Sequence, residues 1–186
     1  MLAKINIGTL RGRRDRALLL LGFAGAFRRS ELTAIRIEDL EHVAQGLRVT
    51  LRRSKTNQIG ATEVVPILRS SGDLCPVTAV DEWIRAAALA AGPLFRRISR
   101  TDRVLSAGLE GPAVSAIVKA HALAAGLAAD DLGGHSLRAG MITAAIVGGK
   151  DALRVMDITR HKRVETLRGY IRRAEEFVDH PLEGLM

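Results

Sequence analysis

His135 and Arg138 lie three residues apart in the run Gly-Gly-His-Ser-Leu-Arg-Ala-Gly, residues 133–140. A helix starting at Ser136, a good N-cap residue, sets both side chains beside its positive end. Backbone N–H groups and the helix dipole there favour an anion such as a phosphate. Further on, Thr-Arg-His-Lys at 159–162 adds a second imidazole, His161, and Leu-Arg-Gly-Tyr-Ile-Arg at 167–172 carries Tyr170, the only tyrosine. A cation cluster, a helix N-terminus and one phenol point to a phosphodiester that is held and attacked.

The composition agrees with a polyanionic partner. The formal charge is +8 and the pI is near 10.7, as expected for a chain that meets phosphates. Most of the 28 basic residues are arginines, whose planar donor fork suits phosphate oxygens better than a lysine point charge. Aromatics make up only 3%, which argues against stacking platforms for single strands or RNA and favours duplex DNA. The single cysteine, Cys75, excludes an internal disulfide and a cysteine zinc cage, so a cytoplasmic setting is expected. No run approaches the ~18 apolar residues of a membrane span, and the start, Met-Leu-Ala-Lys-Ile-Asn, lacks a signal-peptide layout. No Gly-rich loop ending in Lys-Ser/Thr indicates a nucleotide site. The acidic pairs Glu38-Asp39, Asp81-Glu82, Asp130-Asp131 and Glu175-Glu176 read as solvated faces and caps, not as a cage for catalytic metal ions.

The elements that must hold these residues are mostly helical. At 186 residues and 47% hydrophobic, the chain can bury a core as one domain. Residues 11–26 read as a basic entry into a buried helix, and Ser30 as the cap of a short helix from Glu31 to about Ile37. Arg28 and Arg29 sit between the two. Residues 47–53 alternate and make a half-buried strand, Thr62–Leu68 makes another, and 41–45 adds a short edge strand. The turn 54–61, with Lys55, joins the longer two. Pro76 opens a helix running to about Ala91, ended by Gly92-Pro93. Arg96–Arg103 reads as a basic connection. Helices follow at 112–125, ended by Gly126, then at 136–147, broken by Gly148-Gly149, at 151–159 and at 163–173. The expected fold is mainly α, a multi-helical domain with a small two- or three-stranded antiparallel sheet. Residues 174–186 read as an apolar docking tail.

Taken singly, each candidate has an ordinary reading: Arg28-Arg29 as a surface pair, Lys55 as a solvated lysine, His161 as a cap, Tyr170 as a helix tyrosine with a buried ring. Their order and spacing say more. Phe27-Arg28-Arg29-Ser30-Glu31-Leu32, Ser54-Lys55-Thr56, His135-Ser136-Leu137-Arg138, Arg160-His161-Lys162 and Tyr170 together resemble the tyrosine recombinase (phage integrase) family. They match its Arg-x-Ser-Glu-Leu box, its strand-turn lysine, its His-x-Leu-Arg box, its Gly-His box (with arginine where glycine is usual) and its nucleophile. The resemblance covers residues 13 to 173 in the family's own order.

It implies a catalytic set of Arg28, Lys55, His135, Arg138, His161 and Tyr170. An unperturbed phenol is only about 0.1% ionised at neutral pH, so a tyrosine nucleophile needs activation. In the implied scheme Arg28 and Arg138 clamp the phosphate, His135 moves the tyrosine proton, and His161 donates to a phosphate oxygen. Lys55 protonates the departing 5′ oxygen. The product is a 3′-phosphotyrosyl link, which a second 5′ hydroxyl can resolve without ATP, metal or cofactor. The resemblance further implies duplex DNA as partner and a homo-oligomer on DNA, a tetrameric synapse in the family. Residues 1–186 correspond to a single catalytic domain, without the family's N-terminal clamp domain, so weak and salt-sensitive DNA binding is expected. Two other readings stand beside it: a DNA-binding module idle without the clamp, and a type IB topoisomerase-like activity.

Overall fold

Thr9 starts the first long helix: its hydroxyl accepts from the N–H of Gly12 at 3.0 Å, a cap that satisfies one of the free donors of the first turn. In the computed structural model, which describes residues 1–52, 62–130, 132–161, 163 and 165–174, this helix, α1, spans Leu10–Ala24. Asp102 closes two more donors, accepting from Leu10 N–H at 2.8 Å and Arg11 N–H at 2.9 Å. The remaining elements are α2 (Arg29–Ala34), β1 (Leu40–Val43), β2 (Gly46–Leu51), β3 (Glu63–Leu68), α3 (Pro76–Ala86), β4 (Arg96–Ile98), β5 (Val104–Gly108), α4 (Gly111–Ala124), α5 (Ser136–Val147), α6 (Ala152–Thr159) and α7 (Glu165–Ala174). The mainly helical architecture with a small antiparallel sheet is as the sequence indicates. The turn 54–61 with Lys55, and the tail from residue 175 on, lie outside the described residues.

The three-stranded sheet has the order β1-β2-β3. Its register pairs Leu40 with Val49 and Val49 with Val65. Pro66, which has no N–H to donate, sits in an edge strand and faces solvent. Val49, Val65, Leu47 and Ile67 point into the main core with Leu18, Leu21, Phe27, Leu32, Ile35, Val80 and Trp83. The Trp83 ring is fully buried, and its indole N–H donates to Leu94 O at 2.8 Å, which leaves no stranded donor. A second, smaller core lies between the C-terminal helices: Ile142 of α5, Val155 of α6 and Leu167 of α7, with the Tyr170 ring packed against it. Among the described residues no helix is long and apolar enough to cross a membrane.

Four local readings are corrected. Arg96–Arg103 is not a plain connection: β4 and β5 pair antiparallel, Arg96 with Gly108 and Ile98 with Val104, an alternation masked by the surrounding arginines. Helix α3 stops at Ala86 because Ala88 turns left-handed at φ 48 and Leu89 N–H bonds back to Ile84 O. Ser30 does not cap α2; the N-cap is Arg28, and the Glu31 carboxylate reaches back to its N–H at 2.8 Å. Ser136 does not cap α5 either. The chain enters that helix from a turn, with Ser136 N–H on Gly133 O and Gly133 N–H on the Ser136 hydroxyl at 2.9 Å. His135 stands at the N-cap position already in helical conformation.

Candidate active site

The two cores meet along a polar seam. Apolar contact brings α5 against α1 at Gly22: a Cβ there would stand 2.8 Å from Leu137 Cδ1, so the glycine leaves room for the end of the Leu137 side chain. The next residue, Arg138, then turns into the seam and is only 2% exposed. A buried guanidinium requires partners. Arg138 NH1 donates to Ala26 O at 2.8 Å and NH2 lies 3.1 Å from His161 Nε2. Arginine has no lone pair to offer, so Nε2 is the acceptor, and the ring proton sits on Nδ1. There it meets the Thr159 hydroxyl at 2.7 Å, which in turn donates to Val155 O at 2.7 Å. His161 is thus oriented by a chain with a single consistent direction: Arg138, His161, Thr159, backbone.

Arg28 enters from the other side. It stands where α1 ends and α2 begins, its side chain 50% exposed and paired with Glu31. The second Glu31 oxygen binds Arg160 NH2 at 2.7 Å. Burial works to raise the pKa of Glu31, but the Arg28 N–H, the Arg160 charge and the Arg28 side chain outweigh it and hold the carboxylate below its ordinary value. Burial first, then the Arg28 and Arg160 charges, bring Arg138 down to about 10; Glu31 and Tyr170 act on it in the opposite sense. Burial, then Arg138, Arg28, Arg160 and His135, bring His161 down to about 4. At neutral pH, His161 is therefore an uncharged imidazole in a strongly positive surrounding.

Of the six sequence candidates, Arg138, Arg28 and His135 bear electrostatically on His161, and Arg28 and Tyr170 bear on Arg138. Their exposure differs. Arg138 is buried, His161 and Tyr170 are half-buried, and Arg28 and His135 are exposed at the rim, the arrangement of a site with a rigid floor and an accessible edge. Lys55 lies outside the described residues. Sequence reasoning gave no role to Glu31, Thr159 or Arg160. Glu31 was within reach of it, since a carboxylate three residues after a helix-starting Arg28 is a capping pattern. Thr159 and Arg160 carried only their adjacency to His161.

Arg138, Arg28 and Arg160 concentrate positive charge around the His161 imidazole, a setting that favours an anionic group. A family model, described as the phage integrase family, matches residues 2–176. The chain belongs to that family. An integrase/recombinase xerD homolog of Selenomonas ruminantium is 40% identical over 177 residues, 95% of this chain and 52% of the relative. A tyrosine recombinase of Synechococcus elongatus is 32% identical over the whole chain and 55% of its own length. The chain therefore spans about half the length of the curated relatives it matches. Among solved structures, the XerH site-specific recombinase bound to difH substrate matches with a TM-score of 0.69 at 18% identity, covering 94% of this chain and 48% of that one. The XerA recombinase matches with a TM-score of 0.64 at 17% identity, over 86% of this chain and 51% of its own. Those likenesses establish the fold as that of this family's members.

Proposed function

We propose that this chain is the catalytic part of a site-specific DNA recombinase that cuts and rejoins duplex DNA through Tyr170. The reading is supported above all by the Arg138–His161 pair, on which Arg28, His135 and Tyr170 bear electrostatically, combined with membership of the phage integrase family. Relatives sharing 32–40% of its residues are named integrase/recombinase and tyrosine recombinase.

In the proposed mechanism the scissile phosphate sits between the Arg28 and Arg138 guanidiniums. Each can form two parallel bonds to its oxygens, and these strengthen as charge builds in the transition state. The Tyr170 oxygen attacks phosphorus, the bond to the 5′ oxygen breaks, and the 3′ phosphate becomes a tyrosyl ester. His135, exposed at the start of α5, takes the phenolic proton and returns it during rejoining. Lys55 supplies the proton for the leaving 5′ oxygen. His161 begins neutral with Nε2 accepting from Arg138. When a phosphate draws Arg138 NH2 away, Nε2 is freed, and the added negative charge raises the affinity of the imidazole for a proton. His161 can then donate to a phosphate oxygen. The partner is duplex DNA, with a homo-oligomer assembled on it.

The test is covalent trapping. A pool of randomised duplexes, each with one nick so that the cut fragment diffuses away, is incubated with the chain, and adducts that survive denaturant are sequenced. The expected result is an adduct on a restricted set of sequences that disappears in Tyr170→Phe. An adduct that persists in that variant refutes the assignment of the nucleophile. Binding with no adduct leaves a DNA-binding module, and relaxation of plasmid without sequence preference indicates a topoisomerase-like activity.

A further inference from the structure

We propose that Arg160 is a positioning residue of this site, tying the end of α6 that leads into His161 to the loop that presents Arg28 and whose Ala26 carbonyl also accepts from Arg138. The inference rests on the recombinase reading for its kinetic consequences, but not for its geometry.

Arg160 is the residue at which α6 ends, and its backbone is left-handed, φ 58 and ψ 42. Arg160 N–H bonds to Asp157 O and His161 N–H to Met156 O, closing the helix in the manner for which glycine carries no steric penalty. An arginine there is strained, and strain of this kind persists only where the surroundings compensate for it. The compensation is visible. The side chain is 5% exposed and reaches across the seam rather than into solvent. NH1 donates to Ile158 O at 2.8 Å and to Gly25 O at 3.0 Å. NH2 donates to Ala26 O at 3.3 Å and binds Glu31 at 2.7 Å. The guanidinium carbon lies 5.3 Å from the centre of the Phe27 ring. Nε stands 3.7 Å from the carboxylate of Glu63, the first residue of β3.

These contacts select the site's own supports. Gly25, Ala26 and Phe27 form the loop that presents Arg28, and Glu31 is the carboxylate holding both the Arg28 N–H and its guanidinium. Ala26 O is also the acceptor for Arg138. His161 is the next residue in the chain. Ala26 is itself left-handed, at φ 45, so two strained non-glycine helix ends face each other across the seam, joined by one arginine. Removing that arginine takes the Gly25 carbonyl's side-chain donor away, leaves Glu31 with Arg28 alone, and frees the α6 end to drift from the α1–α2 loop. The reacting groups remain; their mutual placement does not.

Two variants test this. Arg160→Gly fits the left-handed backbone and removes every contact, whereas Arg160→Lys keeps the charge and one bond to Glu31. On the trapped duplex, at saturating DNA, Arg160→Gly is expected to lower the single-turnover cleavage rate about tenfold or more with its DNA dissociation constant within about twofold of the wild type, and Arg160→Lys to recover part of the rate. Cleavage by Arg160→Gly at the wild-type rate overturns the proposal. So does a loss shared equally between affinity and rate in step with a lowered melting temperature, which indicates a folding role only. A second measurement needs no DNA: an NMR titration of His161, which faces Arg138, Arg28, Arg160 and His135. In Arg160→Gly its pKa is expected to rise and the backbone resonances of Ala26 to Glu31 to shift. An unchanged titration with unchanged resonances refutes the linkage even if the wild-type chain forms no DNA adduct, a result that counts against the recombinase reading alone.

Discussion

Arg138 donates to His161: the guanidinium NH2 lies 3.1 Å from Nε2, so the imidazole that the motif offers as a phosphate donor is, in the DNA-free protein, an acceptor. The electrostatics agree, since burial and the four neighbouring groups bring its pKa to about 4. The unfolded chain, with histidine near 6.5, binds more protons than the folded one throughout the window between these values. Stability therefore falls as pH drops from about 6.5 toward about 4. Thermal melts at about pH 7 and about pH 5, where carboxylates barely titrate, are expected to show a larger drop for the wild type than for His161→Gln. Parallel behaviour of the two proteins contradicts a neutral, Arg138-bonded His161.

Thr159 fixes which nitrogen of His161 carries the proton. Its hydroxyl accepts from Nδ1 and donates to Val155 O, both at 2.7 Å, and it is fully buried. Valine has nearly the same shape and no acceptor, so Thr159→Val strands the Nδ1 proton and favours the other tautomer. Orienting partners of metal-bound histidines contribute about ten- to a hundredfold, and the same order is expected for this hydrogen-bonded one. Cleavage should slow by about that factor while DNA affinity holds, and the ¹⁵N shifts of the His161 ring should report the change of tautomer.

The helices of this site were legible wherever glycine marked their ends. Gly126 and Gly149 take up left-handed φ values of 75 and 69 after α4 and α5, where the sequence indicates stops. The ends of α1, α3 and α6 use Ala26, Ala88 and Arg160 in the same conformation, and nothing in the identity of an alanine or arginine announces that. The catalytic candidates were legible because chemistry restricts their types. Their supports were not, because an arginine bonded to three carbonyls and a carboxylate reads in sequence like any of the solvated arginines around it. The hairpin formed by β4 and β5 was lost for a similar reason: arginines at 96, 97, 100 and 103 hide an alternation carried by few apolar residues.

Gly22 gives the Leu137 side chain its space between α1 and α5, and Leu137 is the neighbour of Arg138. A Cβ at this position already meets Leu137 Cδ1 at 2.8 Å and Leu32 Cδ2 at 3.1 Å. Valine adds two more carbons into the same space and is stiff in a helix. Overpacking of this kind costs about 1–3 kcal/mol, so Gly22→Val should lower the denaturation midpoint. It should also slow cleavage, because Leu137 adjoins Arg138. A variant that is fully stable and fully active would show that the contact between the helices does not position the guanidinium.

The clustering of cations has its own consequence for stability. Arg138 sits at about 10, brought down by burial and then by Arg28 and Arg160, so its charge is less favourable in the folded protein than in the unfolded one. At neutral pH it is charged in both, and the folded state bears the difference. Arg28 contributes to that repulsion, and in return offers a half-exposed ion pair with Glu31, a type of contact worth about 0–1 kcal/mol. Glu31 keeps Arg160 as a partner when Arg28 is absent. Arg28→Met should therefore melt at the wild-type temperature or above it, while the loss of one clamp on the phosphate lowers cleavage by about a hundred- to a thousandfold. The combination separates a group held for its chemistry from one held for the fold. A marked fall in the melting temperature of Arg28→Met would place the guanidinium among the structural supports and leave the phosphate clamp to Arg138 alone.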